Sequence, residues 1–104
     1  NISDNAIGWF DYALIPRSLT YLDLHRNSIK ELGNYYDLNK ELSLQTLDAS
    51  FNKISKLERK NVPDAVQVLF LNDNLISSVE QHTFRDKANL TRVDLFANQL
   101  TTLD

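Results

Sequence analysis

Leu90 to Leu100 reads L-T-R-V-D-L-F-A-N-Q-L, and this spacing of apolar residues ahead of one asparagine returns along the whole chain. Val93 and Leu95 alternate with Arg92, Asp94 and Phe96, a period of two that assigns the two sets to opposite faces of a strand. A single coil of this kind cannot bury its apolar side alone. Stacking similar coils buries it and makes their strands neighbours in a parallel sheet. Asn98 then turns the chain out of the sheet, where a side-chain amide can donate to and accept from backbone groups that leave the ladder.

The ladder position is held by Asn5, Asn27, Asn52, Asn74 and Asn98, separated by 22, 25, 22 and 24 residues. These spacings fall within the roughly 20 to 29 residues of the leucine-rich repeat, whose consensus the coils resemble. The reading is therefore an α/β leucine-rich-repeat solenoid, with a curved parallel sheet on the concave face and loops and short helical turns on the convex face. Its coils are 1–18, 19–43, 44–65, 66–89 and 90–104. The core columns run through Leu22, Leu47, Leu69 and Val93, and through Leu24, Ala49, Leu71 and Leu95, Ala49 being the one small member. Pro16 and Pro63 stand at the same place in the first and third coils, where an extended return leg donates to no ladder. Only the longer second and fourth coils have room for a helical turn, with Phe84 as an apolar plug. Neither end carries a capping element, so the chain reads as an internal piece of a larger protein, or as one whose ends a partner covers.

Composition excludes several classes of function. A net charge of −3 with scattered basic residues, clustered only at Lys56, Arg59 and Lys60, gives no stripe for nucleic acid or an anionic membrane. No apolar run approaches the roughly 18 to 20 residues of a membrane span. The absence of cysteine excludes disulfides and thiolate metal sites.

The outward strand positions form a grid: Tyr21, Asp23 and His25; Thr46, Asp48 and Ser50; Val68, Phe70 and Asn72; Arg92, Asp94 and Phe96. Aromatic residues rimmed by aspartate and arginine suit a protein-binding surface, with Tyr21, Phe70 and Phe96 as anchors. Asp23 and Asp48 fall side by side. They read as an acidic strip or a cation site, or as a pair relieved by His25 or Arg26, and two carboxylates supply too few oxygens for calcium. No metal or other cofactor is expected. Ser50, His25 and Asp23 lack the oxyanion donors and enclosed pocket that hydrolysis requires, so no catalytic residue is assigned. Asn1-Ile2-Ser3 and Asn89-Leu90-Thr91 are glycosylation sequons, of which Asn89 is the better placed. Trp9 is expected to pack over Phe10, and Tyr35 with Tyr36 to cover the long second coil. Phe51, on the outgoing flank, is a secondary candidate for a lateral contact.

The residues between the framework positions carry a closer resemblance. N-A-I-G-W-F-D-Y-A-L-I-P (5–16), E-L-G-N-Y-Y-D-L (31–38), L-D-A-S-F-N-K-I (47–54), L-F-L-N-D-N-L-I (69–76) and D-K-A-N-L-T-R-V-D-L-F-A-N (86–98) resemble the last repeats of the ectodomain of insect Toll and Toll-related receptors. That resemblance implies a single-pass cell-surface receptor with an intracellular signalling domain. It further implies a protein ligand, either a cystine-knot cytokine of the Spätzle type or another cell-surface protein, and receptor pairing as a homo- or heterodimer. The segment itself would be non-enzymatic and extracellular and would make no membrane contact. An intracellular repeat scaffold that regulates an enzyme, and an adhesion or matrix repeat protein, remain as alternatives.

Overall fold

The structure, a computed structural model, describes residues 2–85, 87–100, 102 and 103. In chain order its strands are β1 (Tyr21–Asp23), β2 (Thr46–Asp48), β3 (Lys56–Leu57), β4 (Val68–Phe70), β5 (Ser78–Val79), β6 (Arg92–Asp94) and β7 (Thr102–Leu103). The expected leucine-rich-repeat solenoid is what these strands build. β1, β2, β4 and β6 form one parallel sheet in that order, with Leu22, Leu47, Leu69 and Val93 in register. The first coil adds to its edge, because the Ile2 and Asp4 amides donate to the carbonyls of Asp23 and His25 at 3.1 and 3.0 Å.

Each coil leaves this sheet through the same device. Asp4, Arg26, Phe51, Asp73 and Ala97, the residues immediately before the five ladder asparagines, all have left-handed φ between 55° and 59°. None is glycine, so each carries the steric penalty of an L residue in that region, roughly 1 to 2 kcal/mol and less for aspartate. The asparagine that follows offsets it. Asn52 donates to the carbonyls of Leu24, Ala49 and Ser50 and accepts from the Ile29 amide. Asn27, Asn74 and Asn98 repeat this pattern one coil apart.

On the other side of the core the backbone is more regular than the expected loops. β3, β5 and β7 make a second parallel sheet, and a bridge between Asp11 and Gly33 continues the pairing between the first two coils. The helical turns also fall elsewhere than expected. Two 3-10 turns, Tyr12–Leu14 and Arg59–Asn61, occupy the short first and third coils. The longer coils carry single turns instead, at Leu38–Leu42 and Glu80–Arg85. A short coil must reverse in fewer residues, which the tighter 3-10 geometry allows.

The core lies between the two sheets. Leu24, Ala49 and Leu71 stack below the first, and Ile29, Ile54 and Ile76 below the turns, all fully or almost fully buried. Tyr12 is wholly buried from the first coil, packs edge-on to Phe10, and donates its hydroxyl to the carbonyl of Asn61 in the third coil at 2.6 Å. A second set of buried amides supports the long second coil. Asn34 donates to Asn39 Oδ1 and to the Lys60 carbonyl and accepts from Leu38, while Asn61 donates to the Leu32 carbonyl.

Candidate functional site

The outward residues of β1, β2, β4 and β6 share one face, in register as Tyr21, Thr46, Val68 and Arg92, then Asp23, Asp48, Phe70 and Asp94. A third row follows just past the strands, with His25, Ser50, Asn72 and Phe96. Strand-end aspartates have a local task that spacing alone does not reveal. Asp23, Asp48 and Asp94 each use Oδ1 to accept the amide two residues on, from His25, Ser50 and Phe96 at 3.0–3.1 Å. These Asx turns bend the chain toward the left-handed residue that follows. Where Phe70 replaces the aspartate, Asn72 bonds Asp73 instead.

The aromatic groups are not equivalent. Arg92 lies over the Phe70 ring at 5.2 Å, and Arg26 over Phe51 at 5.5 Å, so both rings are partly used within the molecule. Tyr21 and Phe96 stay open, at 57% and 78% exposure. They occupy opposite corners of the grid, three strand spacings or roughly 14 Å apart across the sheet. A partner that touched both would span the whole face.

Between them lies the acidic centre. His25 Nδ1 is 2.5 Å from Asp23 Oδ1, its Nε2 is 3.6 Å from Asp4 Oδ2, and Arg26 also reaches Asp4 at 3.6 Å. The bond to Asp23 holds the His25 imidazole above its usual pKa of 6.5, against the opposing effect of burial. Burial raises the Asp23 carboxyl, but the His25 bonds outweigh it and leave the group below its usual 3.8. The His25 contribution to stability is present below pH 6.5 and is lost as pH rises through the raised imidazole value. That of Asp23 is present above pH 3.8 and is lost as pH falls through the lowered carboxyl value. Thermal unfolding followed across pH is therefore expected to show greatest stability in the window between these two limits. His25→Asn should remove the decline on the alkaline side, and an unchanged profile would show that the pair contributes nothing.

Asp23, His25 and Asp48 each offer one ligand atom within 4.8 Å of the others, a grouping of three with the reach of a metal site. Asp23 Oδ1 is already held by His25, and Asp48 Oδ1 by the amide and hydroxyl of Ser50, so each carboxylate has one oxygen committed within the molecule. Ser50 Oγ donates to Asp48, so no nucleophile–base contact with His25 exists.

Elsewhere the structure corrects two expectations. Trp9 does not pack over Phe10 but stands 69% exposed. Tyr35 and Tyr36 meet edge to face at 5.1 Å yet both project into solvent instead of covering the second coil. Register explains Trp9: it stands four residues past its ladder asparagine, where later coils place the exposed Glu31, Lys56 and Ser78. Asn89 is exposed, its amide donating to the Asp64 carbonyl at 3.2 Å, while Asn1 lies outside the described residues.

A model of the leucine-rich repeat family matches residues 42–100, more than half of the chain. The chain belongs to the leucine-rich repeat family. Over 103 residues, 99% of its length, it is 52% identical to Toll-like receptor 7 of Drosophila melanogaster, of which it spans 7%. It is also 37% identical to bovine fibromodulin over 84 residues and 34% identical to mouse lumican over 83, covering 81% and 80% of this chain and 22% and 24% of those proteins. The identity with the Drosophila receptor makes this a repeat segment of the Toll-receptor type. Its kinship is with leucine-rich repeat proteins, a Toll-like receptor, fibromodulin and lumican among them.

Proposed function

We propose that the chain is an extracellular ligand-binding and receptor-pairing segment of a Toll-like cell-surface receptor, acting in innate immunity or development. The observation that carries this reading is 52% identity to Toll-like receptor 7 over 99% of the chain. The protein-binding surface is the outward sheet face, through Tyr21, Asp23, His25, Asp48, Phe70, Asn72, Arg92, Asp94 and Phe96. Its partner is a cystine-knot cytokine of the Spätzle type, another cell-surface protein or a second receptor. Open aromatics around a charged centre suit such contacts, because large rings supply apolar area while the charges select the partner. A glycan on Asn89 would leave this face free and close the flank that carries the return legs. Similarity to fibromodulin and lumican favours a second reading, that of a secreted matrix repeat protein.

Secretion of the chain from insect cells tests the proposal. The expected product carries a glycosidase-sensitive mass at Asn89 and either self-associates in sedimentation or captures a cystine-knot cytokine. Tyr21→Ala combined with Phe96→Ala should weaken that association at least tenfold, about 1.4 kcal/mol, without altering the unfolding midpoint. A glycosylated chain whose association ignores both rings would move the contact off this face. A bare chain that binds neither partner would overturn the receptor reading.

A further inference from the structure

Three neighbouring coils converge on the imidazole of His25 at one corner of the outward face. Asp23 ends β1, and Asp48, its register partner, ends β2. Asp4 comes in from the first coil, where its amide donates to the His25 carbonyl at 3.0 Å, so it joins the group only through the fold. Asp23 and Asp48 are each held by the backbone they turn, with Oδ1 on the amide two residues on. The Ser50 hydroxyl adds a second bond to Asp48 Oδ1 at 2.6 Å.

The geometry of the ring sets this corner apart from an acidic strip. His25 Nδ1 lies 2.5 Å from Asp23 Oδ1, which seats the proton of the neutral imidazole on Nδ1 and leaves the Nε2 lone pair bare. Nε2 stands 3.6 Å from Asp4 Oδ2. An N–H donor at Nε2 would draw an ionised carboxylate to about 2.7–2.9 Å. The gap is too long for that bond and close to the roughly 3.4 Å between two ligands of a tetrahedral ion with bonds of about 2.1 Å. A ring held by a carboxylate at one nitrogen, with an acceptor at ligand spacing from the other, is how metal-bound histidines are arranged. Asp48 completes the set. One ligand atom each from Asp23, His25 and Asp48 lies within 4.8 Å of the others, and the charges of Asp23, Asp4 and Asp48 all act on the imidazole.

Charge at the corner also selects a cation. Three carboxylates meet one imidazole, and among the described residues Arg26 alone brings a fixed positive charge into ion-pair range of them. It reaches Asp4 at 3.6 Å, in a pair whose side chains are 62% and 57% exposed and which therefore contributes little. With the imidazole neutral, two negative charges remain in excess.

We infer that this corner binds a divalent transition-metal ion, zinc by its ligand chemistry, through His25 Nε2, Asp4 and Asp48, with Asp23 orienting the imidazole from behind. Mixed nitrogen and carboxylate donors suit zinc, whereas calcium takes about 6 to 8 oxygens and magnesium an octahedron of them. A spread of up to 4.8 Å exceeds the ligand spacing of a bound ion, so the carboxylates close inward on binding, and solvent supplies the remaining ligand. The ion ties the first three coils together. The assignment is independent of what docks on the outward face.

Calorimetric titration of the full chain with zinc chloride near neutral pH, in a buffer that does not coordinate metals, should give a saturable one-to-one isotherm with Kd on the order of 10 µM. In NMR spectra the ring signals of His25 should shift, while those of His82, the other histidine, should not. Excess zinc should raise the unfolding temperature by several degrees. Asp4→Asn and His25→Gln should each weaken binding at least tenfold, His82→Gln should leave it unchanged, and a large excess of magnesium or calcium should not displace the ion. Urea midpoints without metal show whether each variant is folded, and the result for Asp4→Asn, at an exposed side chain, decides where His25→Gln is not. The absence of saturable binding overturns the proposal. So does binding that survives both Asp4→Asn and His25→Gln, falls equally in His82→Gln, or yields to magnesium, each of which describes an adventitious ion only.

Discussion

Asn52→Ala is expected to destabilise the fold by about 3 to 5 kcal/mol in urea unfolding, a large part of the roughly 5 to 15 kcal/mol of a domain this size. The Asn52 side chain makes one bond from the Ile29 amide at 3.1 Å and reaches three carbonyls at 3.0–3.1 Å. The carbonyls are not equally dependent on it. Leu24 oxygen also receives Asn27, Ala49 oxygen also receives Asn74, and Ser50 oxygen also receives the Arg26 amide. The Ile29 amide has no such second partner and would be left buried and unpaired, which alone costs about 1 to 3 kcal/mol. Asn5, at the outer coil, makes two local bonds among the described residues and is exposed, so Asn5→Ala should cost less than about 1 kcal/mol. Phe96→Ala should stay within about 0.5 kcal/mol, as for other exposed positions. Equal losses at Asn52 and Phe96 would reverse the assignment of inner and outer faces.

Much of this frame is legible in the chain because it rests on periods. Alternation at Tyr21-Leu22-Asp23 and Thr46-Leu47-Asp48 sets the faces, and the intervals between Asn27, Asn52, Asn74 and Asn98 set the register. What stays hidden depends on contacts between distant residues or on unfavourable local geometry. The left-handed turn falls on Arg26, Phe51 and Ala97, residue types that carry no signal for it, and is tolerated because the next asparagine ties down the coil. The Asx turns of Asp23, Asp48 and Asp94 put to structural use carboxylates whose spacing suggests only an acidic strip. Tyr12 belongs to a segment that reads as loop, yet its hydroxyl is satisfied by Asn61, two coils away. Trp9 misleads in the opposite sense. Its apolar character suggests burial, whereas its place in the repeat matches Glu31 and Lys56 on the outside.

Lys87 is the second position where a large loss is expected, and nothing in the residue type announces it. Its side chain is 1% exposed, with Nζ donating to the Val62 carbonyl at 2.5 Å and to Asp64 Oδ1 at 2.8 Å. A lysine is almost never this buried unless its ammonium is paired, and removing one member of such a pair strands the other. Here the stranded groups differ. In a Lys87 variant the Asp64 carboxylate, its side chain 38% exposed, can turn to water, whereas Asp64→Asn leaves the buried Lys87 ammonium without its counter-charge and should cost about 3 kcal/mol. The buried Val62 carbonyl keeps no replacement donor in this structure, so Lys87→Met should cost about 1 to 3 kcal/mol even though the stem still fills its space. Lys87→Ala, which also empties that space, should cost about 3 to 4 kcal/mol. Urea midpoints of the three variants separate the contributions. If Lys87→Met proves as stable as the parent, the ammonium merely repays its own desolvation, and packing of the lysine stem is what joins the third and fourth coils at this point.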